Sequence, residues 1–198
     1  MQTILYIHGF ASAGSSGTAI VMRNLLYTHN VQVISPDVPT SPIDAMKALH
    51  KLVDEIHPDL IVGTSMGAMY AEQLRGTTRI LVNPSFHMAR LLTFRGMGKM
   101  EFRNKREDGA KDFKVDKDMI QEFKTVEKNS FLGIDAKEKE LVWGLFGIHD
   151  KTVNCQADFS KHYGKGQMRL FEGEHYLNDH VLSREVMPLI MQLLGLKS

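Results

Sequence analysis

The sequence predicts a doubly wound α/β domain on a mostly parallel, six-stranded sheet, with a helical insertion late in the order. Three observations lead there. Six short apolar runs, at residues 4–7, 31–35, 60–62, 79–82, 141–146 and 168–171, are mostly continuous rather than alternating. That is the pattern of strands covered on both faces. Helical patterns lie between them, and strand-helix alternation favours a parallel sheet with right-handed crossovers. The length of 198 residues fits one domain, residues 1–198, with a full-sized core.

Each helix announces itself by spacing. Residues 18–29 place Val21, Met22, Leu25 and Leu26 on one side, and residues 44–56 do the same with Met46, Leu49, Leu52, Val53 and Ile56. After Ser183, Val186, Leu189, Ile190, Leu193 and Leu194 form one apolar stripe. Pro188 lacks a backbone donor, so this last helix is expected to start late, with the proline in its first turn.

Residues 84–140 break the rhythm. No convincing strand is legible there, and 99–128 is dense in both signs of charge, as on a solvated face. Met119, Phe123 and Val126 recur at helical spacing, so at least one amphipathic helix is expected. The segment reads as a helical excursion or as a cap over a site, and the two are compatible. Phe86, Met88, Phe94, Met97, Met100 and Phe102 are candidates to line an apolar pocket, or simply to pack the excursion onto the core.

Composition excludes several partners. The apolar fraction is 43%, the charged fraction 24% and the net charge +1, which gives no reason to expect nucleic acid or an anionic membrane. No segment reaches the roughly 20 apolar residues that span a bilayer, and the N-terminus lacks the basic region of a signal peptide. A cytoplasmic protein acting on a small molecule is the expectation. Cys155 is the single cysteine, so no internal disulfide can form, and it is expected to be a packed residue.

The chemistry concentrates after the third strand. Leu60-Ile61-Val62 runs into Gly63-Thr64-Ser65-Met66-Gly67, and a small-residue helix follows at once. A nucleophilic serine lifted above a sheet needs that context. Flanking side chains would collide with strand and helix, so glycines stand on either side. Ser65 then sits at a helix N-terminus, where dipole and free N–H groups favour developing negative charge. A second oxyanion donor is expected from His8-Gly9-Phe10, where Gly9 lets the chain turn and aims the Phe10 N–H beside that of Met66. A phosphate loop at residues 11–17 is disfavoured, because the Gly-Lys-Ser/Thr ending is missing.

An acid and a base should follow the serine. The run 141–146 leads into Gly147-Ile148-His149-Asp150, and 168–171 into Glu172-Gly173-Glu174-His175. Asp150 fits an acid orienting an imidazole, although a carboxylate there often only forms a turn. His175 fits the general base. Ser65, Asp150 and His175 each stand just beyond a different strand. His149 and His180 are less well placed, and His8, His149, His175 and His180 lack the pairing of metal ligands.

These features together, with Val82-Asn83-Pro84, resemble the small bacterial YqiA/YcfP-type esterases of the α/β-hydrolase superfamily, over nearly the whole chain. The resemblance implies a reduced α/β-hydrolase sheet without the hairpin that precedes the first parallel strand in larger relatives. It also implies ester or thioester hydrolysis with no metal or organic cofactor. A non-catalytic binding protein on the same scaffold, an acyltransferase and a carbon–carbon hydrolase remain alternatives.

Overall fold

The computed structural model describes residues 1–197. Strand β1 (Gln2–Ile7) leads through α1 (Gly17–Leu26) and a 3-10 turn to β2 (Val31–Ile34). Helix α2 (Pro42–Ile56) crosses to β3 (Leu60–Thr64), and α3 (Met66–Gln73) to β4 (Thr78–Val82). An excursion follows: α4 (Met88–Arg95), β5 (Gly98–Glu101), β6 (Asp112–Val115), α5 (Lys117–Glu127) and α6 (Ala136–Glu140). The chain returns as β7 (Val142–Gly147), α7 (Gln156–Tyr163) and β8 (Met168–Phe171), and ends with α8 (Asp179–Val181) and α9 (Met187–Leu194).

Six strands form one sheet in the order β2-β1-β3-β4-β7-β8, every pair parallel. Side chains alternate between two cores, as a strand period of two requires. Ile4, Tyr6, Leu60, Val62, Ile80, Val82 and Leu145 face the core shared with α1, α8 and α9. Leu5, Ile7, Ile61, Leu81, Val142 and Phe146 face the core shared with α2, α3, α4, α5 and α7. The strand order reverses between β1 and β3, so α1 and α3 leave toward opposite faces. The loops after β1 and β3 therefore open a crevice at the carboxyl ends of the strands.

The predicted elements are present, with local differences. Helix α2 starts at Pro42, two residues before the apolar pattern, because Ser41 caps it by accepting the Asp44 N–H and Pro42 fits the first turn. Pro188 does sit in the first turn of α9, but a π turn over Leu182–Val186 joins that helix to α8.

The excursion departs from the expectation of a purely helical segment. Strands β5 and β6 pair antiparallel in a separate two-stranded sheet, Met100 opposite Phe113 and Lys99 opposite Lys114. Lys99, Glu101, Asp112 and Lys114 are exposed and charged, so hydrophobic patterning hides these strands; a Lys99–Asp112 ion pair of 2.9 Å offsets the facing lysines. Met119, Ile120, Phe123 and Val126 of α5 are buried at the expected helical spacing.

Arg79 is fully buried at the start of β4. Its guanidinium pairs with Glu138 of α6 and donates 2.7 Å to the Leu74 carbonyl. A buried charge is tolerable only when partnered in this way, and the pair anchors the far end of the excursion to the sheet.

Candidate active site

Ser65 stands between β3 and α3 with φ 55° and ψ −117°, a region that L-residues rarely occupy. The turn is locked from several sides. Its N–H donates to the Val82 carbonyl at 3.0 Å, and its carbonyl accepts from Ser85, Ala68 and Met69. Gly63 and Gly67 are forced by contact. A Cβ at Gly67 would lie 2.1 Å from the Ile7 carbonyl oxygen, and one at Gly63 would lie 2.4 Å from the Gly67 carbonyl oxygen. Gly9 lies alongside, where a Cβ would stand 3.4 Å from Ser65 Cβ.

Ser65 Oγ lies 2.9 Å from His175 Nε2, and His175 Nδ1 lies 2.7 Å from Asp150 Oδ2. The three residues, separated by up to 110 positions in sequence, meet in one hydrogen-bonded line. Burial pushes the Asp150 carboxyl up, but hydrogen bonds from His175, Val153 and Thr152 and the nearby imidazole outweigh it. They hold the group below the usual carboxylate value. An ionised Asp150 accepts only, so His175 donates through Nδ1 and turns the lone pair of Nε2 to the Ser65 hydroxyl. Oδ1 of Asp150 accepts the N–H groups of Thr152, at 2.7 Å, and Val153, at 3.0 Å. The carboxylate forms a turn with one oxygen and orients the base with the other.

The Met66 N–H opens α3, beside Ser65. Phe10 lies in the loop after β1, its ring packed edge-on against Phe113 of β6 at 5.3 Å and Phe123 of α5 at 6.3 Å. Among the described residues, neither the Met66 nor the Phe10 N–H donates to a protein acceptor. His8, inside the same loop, is buried and bridges it: Nδ1 donates to the Gly9 carbonyl at 2.9 Å and Nε2 accepts the Val38 N–H at 3.0 Å.

Asn83 had no assigned role in the sequence. It follows β4 with φ 44° and is 2% exposed. Its amide donates to the carbonyls of Glu174, at 2.9 Å, and His175, at 3.1 Å, while its Oδ1 accepts the Gly147 N–H at 2.7 Å. One side chain thus ties the end of β4 to the loops bearing Asp150 and His175. The only prior signal was an Asn-Pro after a strand, where Asn tolerates a left-handed backbone.

The other titratable candidates lie apart from this line. His149 meets Glu172 at 2.8 Å on the surface, and His180 is exposed. His8, His149, His175 and His180 do not gather as ligands. A different group, His87, Cys155 and Asp158, brings its potential ligand atoms within 4.8 Å of one another. Burial pushes the Cys155 thiol up to about 11, however, so it is a poor thiolate donor.

A cleft of about 250 Å³ contains Ser65 and His175. The excursion supplies Met88, Leu91, Arg95, Arg103 and Asn104 to its lining. Of the six apolar candidates for a pocket, only Met88 reaches it. Phe86 packs against Phe131 in the core, Phe94 and Met97 are exposed, and Met100 and Phe102 belong to the hairpin and its flank. Helical spacing alone could not tell inward from outward faces once a hairpin interrupted the excursion.

Residues 3–193 match the family described as Uncharacterised protein family UPF0227. The chain belongs to UPF0227. Est1E from Butyrivibrio proteoclasticus is similar in structure, with TM-score 0.67 and 16% identity over 98% of this chain and 88% of that one. Alpha/beta hydrolase domain-containing protein 10 from mouse matches with TM-score 0.61 and 15% identity, over 96% and 90% of the two chains. The thioesterase domain from the curacin biosynthetic pathway matches with TM-score 0.55 and 15% identity, over 98% and 91%. At such identities the likeness shows the fold alone: this UPF0227 chain has the α/β-hydrolase fold. Among its described residues, no helix is long and apolar enough to cross a membrane.

Proposed function

We propose that the protein is a serine hydrolase of carboxylic esters or thioesters, with Ser65 as nucleophile, His175 as general base and Asp150 as its orienting acid. The observation that carries this reading is the directed line from Ser65 Oγ through His175 to Asp150, at 2.9 and 2.7 Å. A depressed Asp150 pKa supports it, because the carboxylate then fixes the imidazole tautomer that accepts the serine proton.

In this mechanism Ser65 Oγ attacks the acyl carbonyl as its proton passes to His175 Nε2. The N–H groups of Met66 and Phe10 face the oxyanion. The tetrahedral intermediate expels the alcohol or thiol with the proton held by His175, leaving an acyl group on Ser65. Water, deprotonated by His175, attacks that acyl carbon and releases the acid. The segment 84–140 acts as the cap, because it lines the cleft with Met88 and Leu91 and clamps Phe10 through Phe113 and Phe123.

The test combines turnover with covalent labelling. The wild type is expected to hydrolyse short p-nitrophenyl esters and to label with a fluorophosphonate probe. Ser65→Ala is expected to lose both while remaining folded by circular dichroism. A folded Ser65→Ala variant that retains near wild-type turnover would overturn the assignment.

A further inference from the structure

The cleft beside Ser65 carries more positive charge than hydrolysis of a neutral ester needs. Arg95, the last residue of α4, and Arg103, just beyond β5, both line it. Among the described residues neither guanidinium lies within 4.0 Å of a carboxylate, whereas Arg75, Arg79 and Arg106 are each paired with one. Asp179 also lines the cleft, but it pairs with neither arginine.

Arg103 is held rather than loose. Its backbone N–H donates to the Ala11 carbonyl at 2.8 Å, and its neighbour Asn104 accepts the Ser12 hydroxyl at 2.9 Å. Its guanidinium lies 4.6 Å from the ring centroid of Tyr176 and donates to that phenol oxygen at 2.7 Å. Tyr176 directly follows His175 and its ring centroid lies 5.2 Å from that of the imidazole, so the cation is held on the neighbour of the base. A guanidinium has five N–H donors, and this contact uses one. The N-terminus of α1, with no acidic residue in its first turn, opens onto the same cleft at Ser16, Gly17 and Thr18.

We infer that the substrate is an acyl ester or thioester bearing a carboxylate or phosphate, which Arg95 and Arg103 receive while Ser65 attacks the acyl carbon. Resting on the serine-hydrolase reading above, the inference adds the class of group that the cleft selects. A planar guanidinium suits both anions, since each offers two oxygens to its parallel N–H donors. The anchor contributes to binding and alignment; Met88 and Leu91 contact the apolar part of the acyl or leaving group.

The experiment compares matched esters that differ in one anionic group. On the acyl side, the pair is 4-nitrophenyl pentanoate and 4-nitrophenyl hydrogen glutarate. On the leaving-group side, it is phenyl butyrate and the butyrate ester of 4-hydroxyphenyl phosphate. In at least one pair the wild type is expected to favour the anionic member in kcat/KM by about fivefold or more. The favoured pair tells which side of the ester carries the charge. That preference should shrink as ionic strength rises, and it should fall toward unity in Arg95→Gln/Arg103→Gln. Hydrolysis of both members with no preference in either pair would overturn this inference while leaving the serine-hydrolase reading intact. So would a preference that survives the double substitution or is insensitive to salt. Absence of hydrolysis in all four esters would remove both readings.

Discussion

The amide of Asn83 donates to the backbone carbonyl of His175 at 3.1 Å, so the end of β4 holds the loop of the proposed base directly. The same amide reaches the Glu174 carbonyl, and its oxygen takes the Gly147 N–H three residues before Asp150. Three loops that the chain makes far apart are thereby registered to one buried side chain.

Asn83→Asp should keep an acceptor for Gly147 but lose both donated bonds, placing a carboxylate oxygen against two carbonyls. A fall in kcat of roughly 10²-fold, with KM little changed, is expected if the base moves by about 1 Å. Unpaired buried groups should also lower stability by about 1–3 kcal/mol for each bond lost. Steady-state kinetics alongside urea unfolding separates the two effects. Lowered stability with unchanged kcat would make Asn83 a structural residue only.

The positive φ of Ser65 stores strain that the hydrogen bonds of its neighbours maintain. Ser65→Gly removes the Cβ that makes this conformation costly, so the variant should be about 1 kcal/mol more stable than Ser65→Ala, with both inactive. Thermal melts of the two variants check it; equal or lower stability in the glycine variant would mean that the turn is not strained.

Gly67→Ala should be among the most damaging single-methyl changes in the chain. The added Cβ would lie 2.1 Å from the Ile7 carbonyl oxygen and 2.6 Å from that of His8, and backbone cannot rotate away as a side chain can. A loss of about 3 kcal/mol or more, or failure to accumulate as folded protein, is expected. A urea midpoint near that of the wild type would show that α3 can move away from β1.

His8 predicts a pH dependence of stability. Burial pushes its pKa below the usual 6.5, only partly opposed by its bond to Gly9 and the charge of Asp37, with Arg106 adding to the depression. The unfolded chain therefore binds the proton more readily than the native state. The neutral-His8 contribution is complete above pH 6.5 and is lost as pH falls from there through the folded pKa. Protonation would also turn the acceptor of the Val38 N–H into a donor. Melting temperature should drop between about pH 7 and pH 5, and drop less in His8→Gln. Parallel slopes in the two proteins would refute the role.

The fold was legible where apolar spacing has one reading: six buried runs became the six strands of the sheet, in parallel pairs. The α5 face at Met119, Phe123 and Val126 was legible for the same reason. The hairpin β5–β6 was hidden because its exposed, charged residues leave only Met100, Phe113 and Val115 as weak alternation. The apolar residues of the excursion misled for a related reason. Composition identifies a residue as able to be buried, but only the packing direction decides whether Met88 or Phe94 meets the cleft.

Sequence by itself determined the local chemistry: Gly63 and Gly67 around Ser65, and an acid and a histidine each just beyond a later strand. Those are properties of short segments, governed by steric limits on a tight turn and by the period of a buried strand. Tertiary structure decided what those segments do to one another. It brought Ser65, His175 and Asp150 into one line, made Asn83 the tie between their loops, and set Arg103 against Tyr176 beside the base. Such relations depend on strand order and on the placement of the excursion, which are sums of many weak long-range contacts. No window of sequence contains them.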